Sequence, residues 1–225
     1  MAAVFCALAI ASTFIMHIKV VFLTFDAKDA VITIAGLLFG PIYSVAISLV
    51  VSLIEFISMG ETGFWGFLMD FLSTALFSTV CALIYKYKKN IKGAVIGLIA
   101  SIFAMTAFML LFNLFIVPLY NLNYTTAAVA KMVPTLFLPF NLTKATLNAA
   151  IVLILYKPAS TALKAARVLP SGNLSGNADN GLSTEEKRKK GIFFSLIVTA
   201  VGLAIVALCF VVFFVLLDGQ FVFGK

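Results

Sequence analysis

Apolar residues run through this chain in long blocks, and short polar segments separate them. A block from about Met1 to Met16 ends near His17 and Lys19, and a loop from Lys19 to Asp29 carries Phe25, Asp26 and Lys28. A short apolar span then reaches Gly40. The dipeptide Gly40-Pro41 marks a tight turn, so a second helix is expected from Ile42 to about Ile57, with Glu55 inside it. After a loop from Ser58 to Gly63 with Glu61, a helix from about Phe64 to Tyr85 carries Asp70 near its start. A basic loop from Lys86 to Lys92 leads to a span from Gly93 to about Val117, which carries Asn113 and stops at Pro118. Leu119 to Lys131 reads as a loop. The next apolar segment passes through Pro139-Phe-Asn-Leu-Thr-Lys-Ala-Thr-Leu-Asn148 to Tyr156, and a last one runs from Ile192 to Leu217, long enough for the ~20 residues a bilayer requires.

Composition turns this pattern into a class. Of the residues, 63% are hydrophobic and only 11% are charged, and the mean hydropathy is +1.13. A soluble domain of this size has no interior able to hide so much apolar surface, so the chain is expected to be an all-α integral membrane protein. A transmembrane barrel is excluded because its strands would alternate apolar and polar residues. Cys6, Cys81 and Cys209 sit in apolar runs without metal-ligand spacing, which predicts buried, reduced thiols. The first block lacks the basic start of a signal peptide.

Charge then orients the spans. The net charge is +7, and the loop Lys86–Lys92 holds four basic residues and Lys157–Lys190 seven, whereas Lys19, Lys28 and Lys131 are the ones in the loops of the opposite side. The basic loops are therefore expected in the cytoplasm. Seven spans satisfy the alternation, with a cytoplasmic N-terminus. The Ser, Gly, Asn and charge-rich stretch that follows Lys157 reads as a linker, placed at 169–191 between a membrane domain at 1–168 and an added span at 192–217, with a short extracellular tail at 218–225.

Against this background a few polar residues stand out. Asn141, Lys144 and Asn148 lie three and then four residues apart, so on a helix they share one face. An ionisable group in a membrane span is costly and by default marks a function. The plainer alternatives are a lysine that snorkels to the interface or a structural hydrogen bond between helices. Lys144 precedes Lys157 by thirteen residues, about 20 Å along a helix, which places it in the outer half of the bilayer. Asn113 and Asp70 fall at the same level. Asp70 reads either as a ligand contact, as a carboxylate favoured near a helix N-terminus, or as the counter-charge of Lys144. Together with the outer Phe25 loop these groups outline a cavity for a small molecule with one aromatic part and one hydroxyl- or amide-rich part. In the first block, Ala3, Ala7 and Ala11 repeat every fourth position, a ridge that lets another helix approach closely, inside the chain or outside it.

The runs Phe39-Gly-Pro41 and Gly63-Phe-Trp-Gly-Phe-Leu-Met-Asp-Phe-Leu-Ser-Thr74, Asn113 with Pro118-Leu-Tyr120, and Leu138-Pro-Phe-Asn-Leu-Thr-Lys144 with Asn148 and Tyr156-Lys-Pro158 resemble the riboflavin-specific substrate-capture subunits, or S components, of energy-coupling-factor (ECF) vitamin transporters. The resemblance covers about Met1 to Val168. It implies a six-helix bundle that binds its vitamin from outside and has no ATPase of its own, and the chain indeed lacks a Gly-x-x-x-x-Gly-Lys-Ser/Thr phosphate loop. Implied partners are a transmembrane coupling subunit and two cytoplasmic ATPases, with Ala3, Ala7 and Ala11 as the docking ridge. No cofactor is implied, riboflavin being the transported ligand. The resemblance gives Asn113, Asn141 and Lys144 to the ligand and Phe25 and Asp26 to the loop that lids the pocket; Asn148 and Asp70 complete the candidate set. Other readings are a different vitamin on the same scaffold, a ligand-free helical scaffold, or an intramembrane enzyme built on Glu55 and Asp70. The last lacks any His-Glu-x-x-His or Gly-x-Ser-x-Gly signature. The span Ile192–Leu217 departs from the six-helix pattern, and its uniform apolarity places it at the periphery or against a partner.

Overall fold

The computed structural model describes residues 2–20, 23–59, 63–88, 91–120, 125–165, 199–216 and 220–221. Its helices are α1 (Ala2–Ile15), α2 (Lys28–Phe39), α3 (Pro41–Met59), α4 (Gly63–Tyr87), α5 (Ile91–Tyr120), α6 (Thr126–Met132), α7 (Leu138–Ala165) and α8 (Thr199–Val211). Four spans are long and apolar enough to cross a bilayer: Pro41–Ser58, Gly63–Tyr87, Lys92–Leu119 and Thr126–Tyr156. The protein is thus a mostly helical, multi-pass membrane protein. The linker expected at 169–191 lies outside the described residues.

The Gly40-Pro41 turn is present. Gly40 has φ = 106°, which a side chain would strain, and Pro41 opens α3 where its missing N–H is harmless. α2 and α3 therefore fold back on each other. Gly36 makes the approach close, since a Cβ there would lie 2.9 Å from Ser44 Cβ and 3.2 Å from Ala82 Cβ. α2 packs against α1, α3, α4 and α7, and nine of its twelve residues are buried, including Lys28 and Asp29. This short central helix holds the polar centre of the bundle.

Two boundaries differ from the expected ones. The segment before Lys131 is helical from Thr126, because Thr125 caps it by accepting a hydrogen bond from the Ala128 N–H. α6 then runs into α7 through a wide turn, Val133–Phe137, whose closing bond goes from the Leu138 N–H to the Val133 carbonyl. Pro134 has no N–H to give, and Pro139 would press on the carbonyl four residues back, so the turn widens.

The loop expected between Lys19 and Asp29 is a hairpin, so the fold is not purely helical. Strands β1 (His17–Val20) and β2 (Leu23–Asp26) pair antiparallel, with Ile18 opposite Phe25 and Val20 opposite Leu23. Ile18, Val20 and Phe25 are all fully buried. They pack with Phe140 and Leu147 of α7 and with Cys209 of α8. Two residues of the tail, Gln220–Phe221, form β3 against the other edge of β1, giving the order β2-β1-β3.

Candidate functional site

β2 ends where α2 begins, and this junction faces α3, α4 and α7. Six charged side chains meet there: Asp26 from β2, Lys28 and Asp29 from α2, Glu55 from α3, Asp70 from α4 and Lys144 from α7. Lys28 is 1% exposed. Its Nζ lies 2.8 Å from both carboxylate oxygens of Asp70, forms a short contact with Glu55 and stands 3.7 Å from Asp26. Asp70 also accepts from Ser52 Oγ at 2.6 Å, and Glu55 from Thr13 Oγ1 at 2.7 Å. A buried ammonium is tolerable only when paired this fully.

Lys144 has a different setting. Its Nζ is 3.8 Å from both Asp26 and Asp29 and donates to the Thr24 carbonyl at 3.4 Å. Asp70 is therefore the counter-charge of Lys28, and Lys144 pairs with the two aspartates that flank the hairpin hinge. Nor does Asp70 serve the α4 N-terminus, since α4 starts seven residues earlier at Gly63. Asn148 joins α7 to the same hinge. Its Oδ1 accepts from the Ala30 N–H at 3.2 Å, and its Nδ2 lies 3.4 Å from the Asp26 carbonyl and 3.5 Å from Asp29 Oδ2. Thr74 Oγ1 donates to Asp29 Oδ1 at 2.6 Å.

Beside this cluster lies a cavity of about 90 Å3. Leu23 and Thr24 of β2 cover it. Gly66, Met69, Asp70 and Ser73 of α4 form one wall, Met105 and Met109 of α5 another, and Phe140, Asn141 and Lys144 of α7 the third. Of the residues singled out in the sequence, Asp70, Asn141 and Lys144 thus line one space. Phe25 points with the hairpin's apolar residues towards Phe140, Leu147 and Cys209, while its neighbours Leu23 and Thr24 line the cavity. Asp26 and Asn148 sit behind the wall, at the hinge. Asn113 is fully buried one turn beyond Met109, to whose carbonyl its Nδ2 donates at 2.6 Å; its Oδ1 has no hydrogen-bond partner among the described residues.

Chemically the site offers donors and acceptors along α7 and α4 and a sulfur-rich apolar wall along α5. Among the described residues no group of His, Cys, Asp and Glu is arranged to hold a metal ion. Sequence reasoning missed Lys28 as the centre of the ion cluster, together with Ser52, Ser73 and Thr74. The available signal was the pair Lys28-Asp29 directly before an apolar helix, beside Glu55 inside another.

The family model for the substrate-specific component of ECF transporters matches residues 1–156. The riboflavin transporter RibU of Staphylococcus aureus (strain TCH60) is 29% identical over 149 residues, 64% of this chain and 78% of the relative. A solved structure described as the S component of a bacterial ECF transporter superposes with a TM-score of 0.60 at 27% identity, covering 72% of this chain and 95% of the other.

Proposed function

The chain belongs to the family of ECF-transporter substrate-specific components, membrane transporter subunits and not enzymes, and on that premise we propose that the molecule it captures is riboflavin. The observation that carries this reading is the mixed lining of the cavity: the polar Asp70, Ser73, Asn141 and Lys144 beside the apolar Met69, Met105, Met109 and Phe140. A flat ring system prefers apolar and aromatic walls, while polyol hydroxyls and ring heteroatoms need placed donors and acceptors. Buried polar groups also reject analogues, because an unmatched partner leaves them unsatisfied. The riboflavin transport named for the Staphylococcus relative supports the same ligand.

A cavity of about 90 Å3 is well below the ~300–1,000 Å3 of typical ligand pockets. Leu23 and Thr24 therefore withdraw when the vitamin enters, and the hairpin closes over it afterwards. Capture occurs from outside, with the N-terminus and the basic loops in the cytoplasm. Residues 1–168 act as the capture unit, six helices when α6 and α7 are taken as the one span Thr126–Tyr156, with 169–191 as a linker and 192–217 as an added span. Docking to the coupling subunit, and through it to two ATPases, uses α1: Ala3, Ala7 and Ala11 are exposed together with Val4 (53%) and Leu8 (52%). Reorientation of the docked bundle then releases riboflavin inside.

Quenching of riboflavin fluorescence by the purified protein tests the ligand. Stoichiometric quenching that thiamine and folate fail to relieve is expected, with at least a tenfold weaker Kd in Asn141→Ala/Lys144→Ala, because two buried hydrogen-bonding groups are lost at ~1–3 kcal/mol each. Full competition by another vitamin, or an unaltered double variant, would sink the assignment.

A further inference from the structure

The family match stops at residue 156, yet the segment beyond it touches the hairpin over the site. α8 lies along α7 with Gly202 as its contact point: a Cβ there would come within 2.8 Å of Ile154 Cγ1. Further along, Cys209 is 5% exposed and joins Phe140 and Leu147 of α7 to Ile18, Val20 and Phe25 of the hairpin. β3 then hydrogen-bonds the free edge of β1, Ile18 opposite Phe221 and Lys19 opposite Gln220.

We propose that α8 and β3 form a clasp that ties the hairpin to α7 and slows its opening, so that this added segment sets how long the captured molecule stays bound. The inference rests on the proposed function, in which the hairpin withdraws to admit a ligand. α7 is part of the cavity wall, to which it supplies Phe140, Asn141 and Lys144. Four Cα steps separate Leu216 from Gln220, a reach of about 14 Å when fully extended. A hairpin that stays paired with β3 must keep Gln220 within this reach of Leu216 unless α8 lifts from α7; a wider opening must break the β1–β3 bonds first. Either route carries a cost that a hairpin with a bare edge does not have. β3 also covers backbone donors and acceptors that an edge strand would leave unpaired.

The test uses the full chain in detergent, with riboflavin as probe. Gln220→Pro removes a ladder donor, and Gly202→Val pushes α8 away from Ile154. Each is expected to speed riboflavin dissociation about tenfold in stopped-flow fluorescence, the effect of one or two lost hydrogen bonds. Lys19→Cys/Gln220→Cys joins a cross-strand pair, and its oxidation should slow dissociation until reductant is added. Hydrogen exchange of the 17–26 amides without any ligand gives a second reading: faster in Gln220→Pro, slower in the oxidised pair. Unchanged dissociation and unchanged hairpin exchange in all three variants would overturn the clasp. Should riboflavin fail to bind the parent protein, the ligand assignment falls, and the exchange measurement alone decides the clasp.

Discussion

Replacing Lys28 by methionine tests the electrostatic centre of the bundle. Methionine keeps the length and apolar stem of the side chain, so the change isolates the ammonium. In the parent, that ammonium lies 2.8 Å from Asp70, contacts Glu55 and stands 3.7 Å from Asp26. Its loss leaves these carboxylates and Asp29 facing Lys144 alone, four acidic groups against one base. Removing one partner of a buried ion pair costs ~3–5 kcal/mol. Ser52 and Thr13 still donate to Asp70 and Glu55 at 2.6 and 2.7 Å, which places the expected loss at the lower end, ~3 kcal/mol. Unfolding in mixed micelles with increasing SDS measures it. A companion Asp70→Asn in the same background should recover part of the loss, since a neutral amide no longer calls for a counter-charge, and the double-mutant cycle gives the coupling directly. Stability of Lys28→Met within ~0.5 kcal/mol of the parent, the range of an ordinary surface change, or a coupling of zero with Asp70, would refute the assignment of Lys28 as the buried counter-ion.

Lys144→Met should reverse the balance: its carboxylate partners lie at 3.8 Å, so unfolding shifts less than in Lys28→Met, while riboflavin affinity in a fluorescence titration falls more. Gly36→Val should cost ~1–3 kcal/mol in the same SDS titration, because the new side chain meets Ser44 and Ala82 within 3.2 Å on two helices. Asn148→Leu leaves the Ala30 N–H without its acceptor and should destabilise the protein by ~1–3 kcal/mol. Ala7→Leu should keep riboflavin binding in detergent and abolish uptake in cells that carry the coupling module; normal uptake would count against docking through α1.

What the sequence disclosed and what it hid follow different physics. The stripe Asn141, Lys144, Asn148 was legible because helical spacing alone puts the three on one face, and the Gly40-Pro41 turn because only glycine suits φ = 106° there. The sequence pattern predicts a loop where the hairpin lies, although Ile18, Val20 and Phe25 carry the alternation of a strand, because two four-residue strands give too short a window between helices of 14 and 12 residues. The pairing of Asp70 with Lys28 was hidden for another reason. Two lysines and four acids offer many matches, and the choice depends on how α2 sits between α3 and α4, a long-range packing fact that no local pattern records. The strand at Gln220–Phe221 was hidden in the same way, since two residues have no periodicity to show.

The strengths of the contacts around the hairpin say how it moves. The bonds that anchor the start of α2 to α4 are short: Thr74 to Asp29 at 2.6 Å and Lys28 to Asp70 at 2.8 Å. Those that tie α7 to β2 are long: Lys144 to the Thr24 carbonyl at 3.4 Å and Asn148 to the Asp26 carbonyl at 3.4 Å. Long bonds of this kind contribute little and break first. In the proposed capture, opening would swing β1 and β2 about residues 26–28 with α2 in place, and the ion cluster would survive the motion except for Asp26. On that proposal Lys144 would lose its bond to the hairpin as the cavity opens, and its ammonium, still facing Asp29, would become available to an incoming hydroxyl or carbonyl. In the proposed mechanism one lysine would serve two states: it holds the strand when the site is closed over itself, and it would meet the ligand once the strand has moved. Lys28 differs, because its partners Asp70 and Glu55 belong to α4 and α3, outside the hairpin.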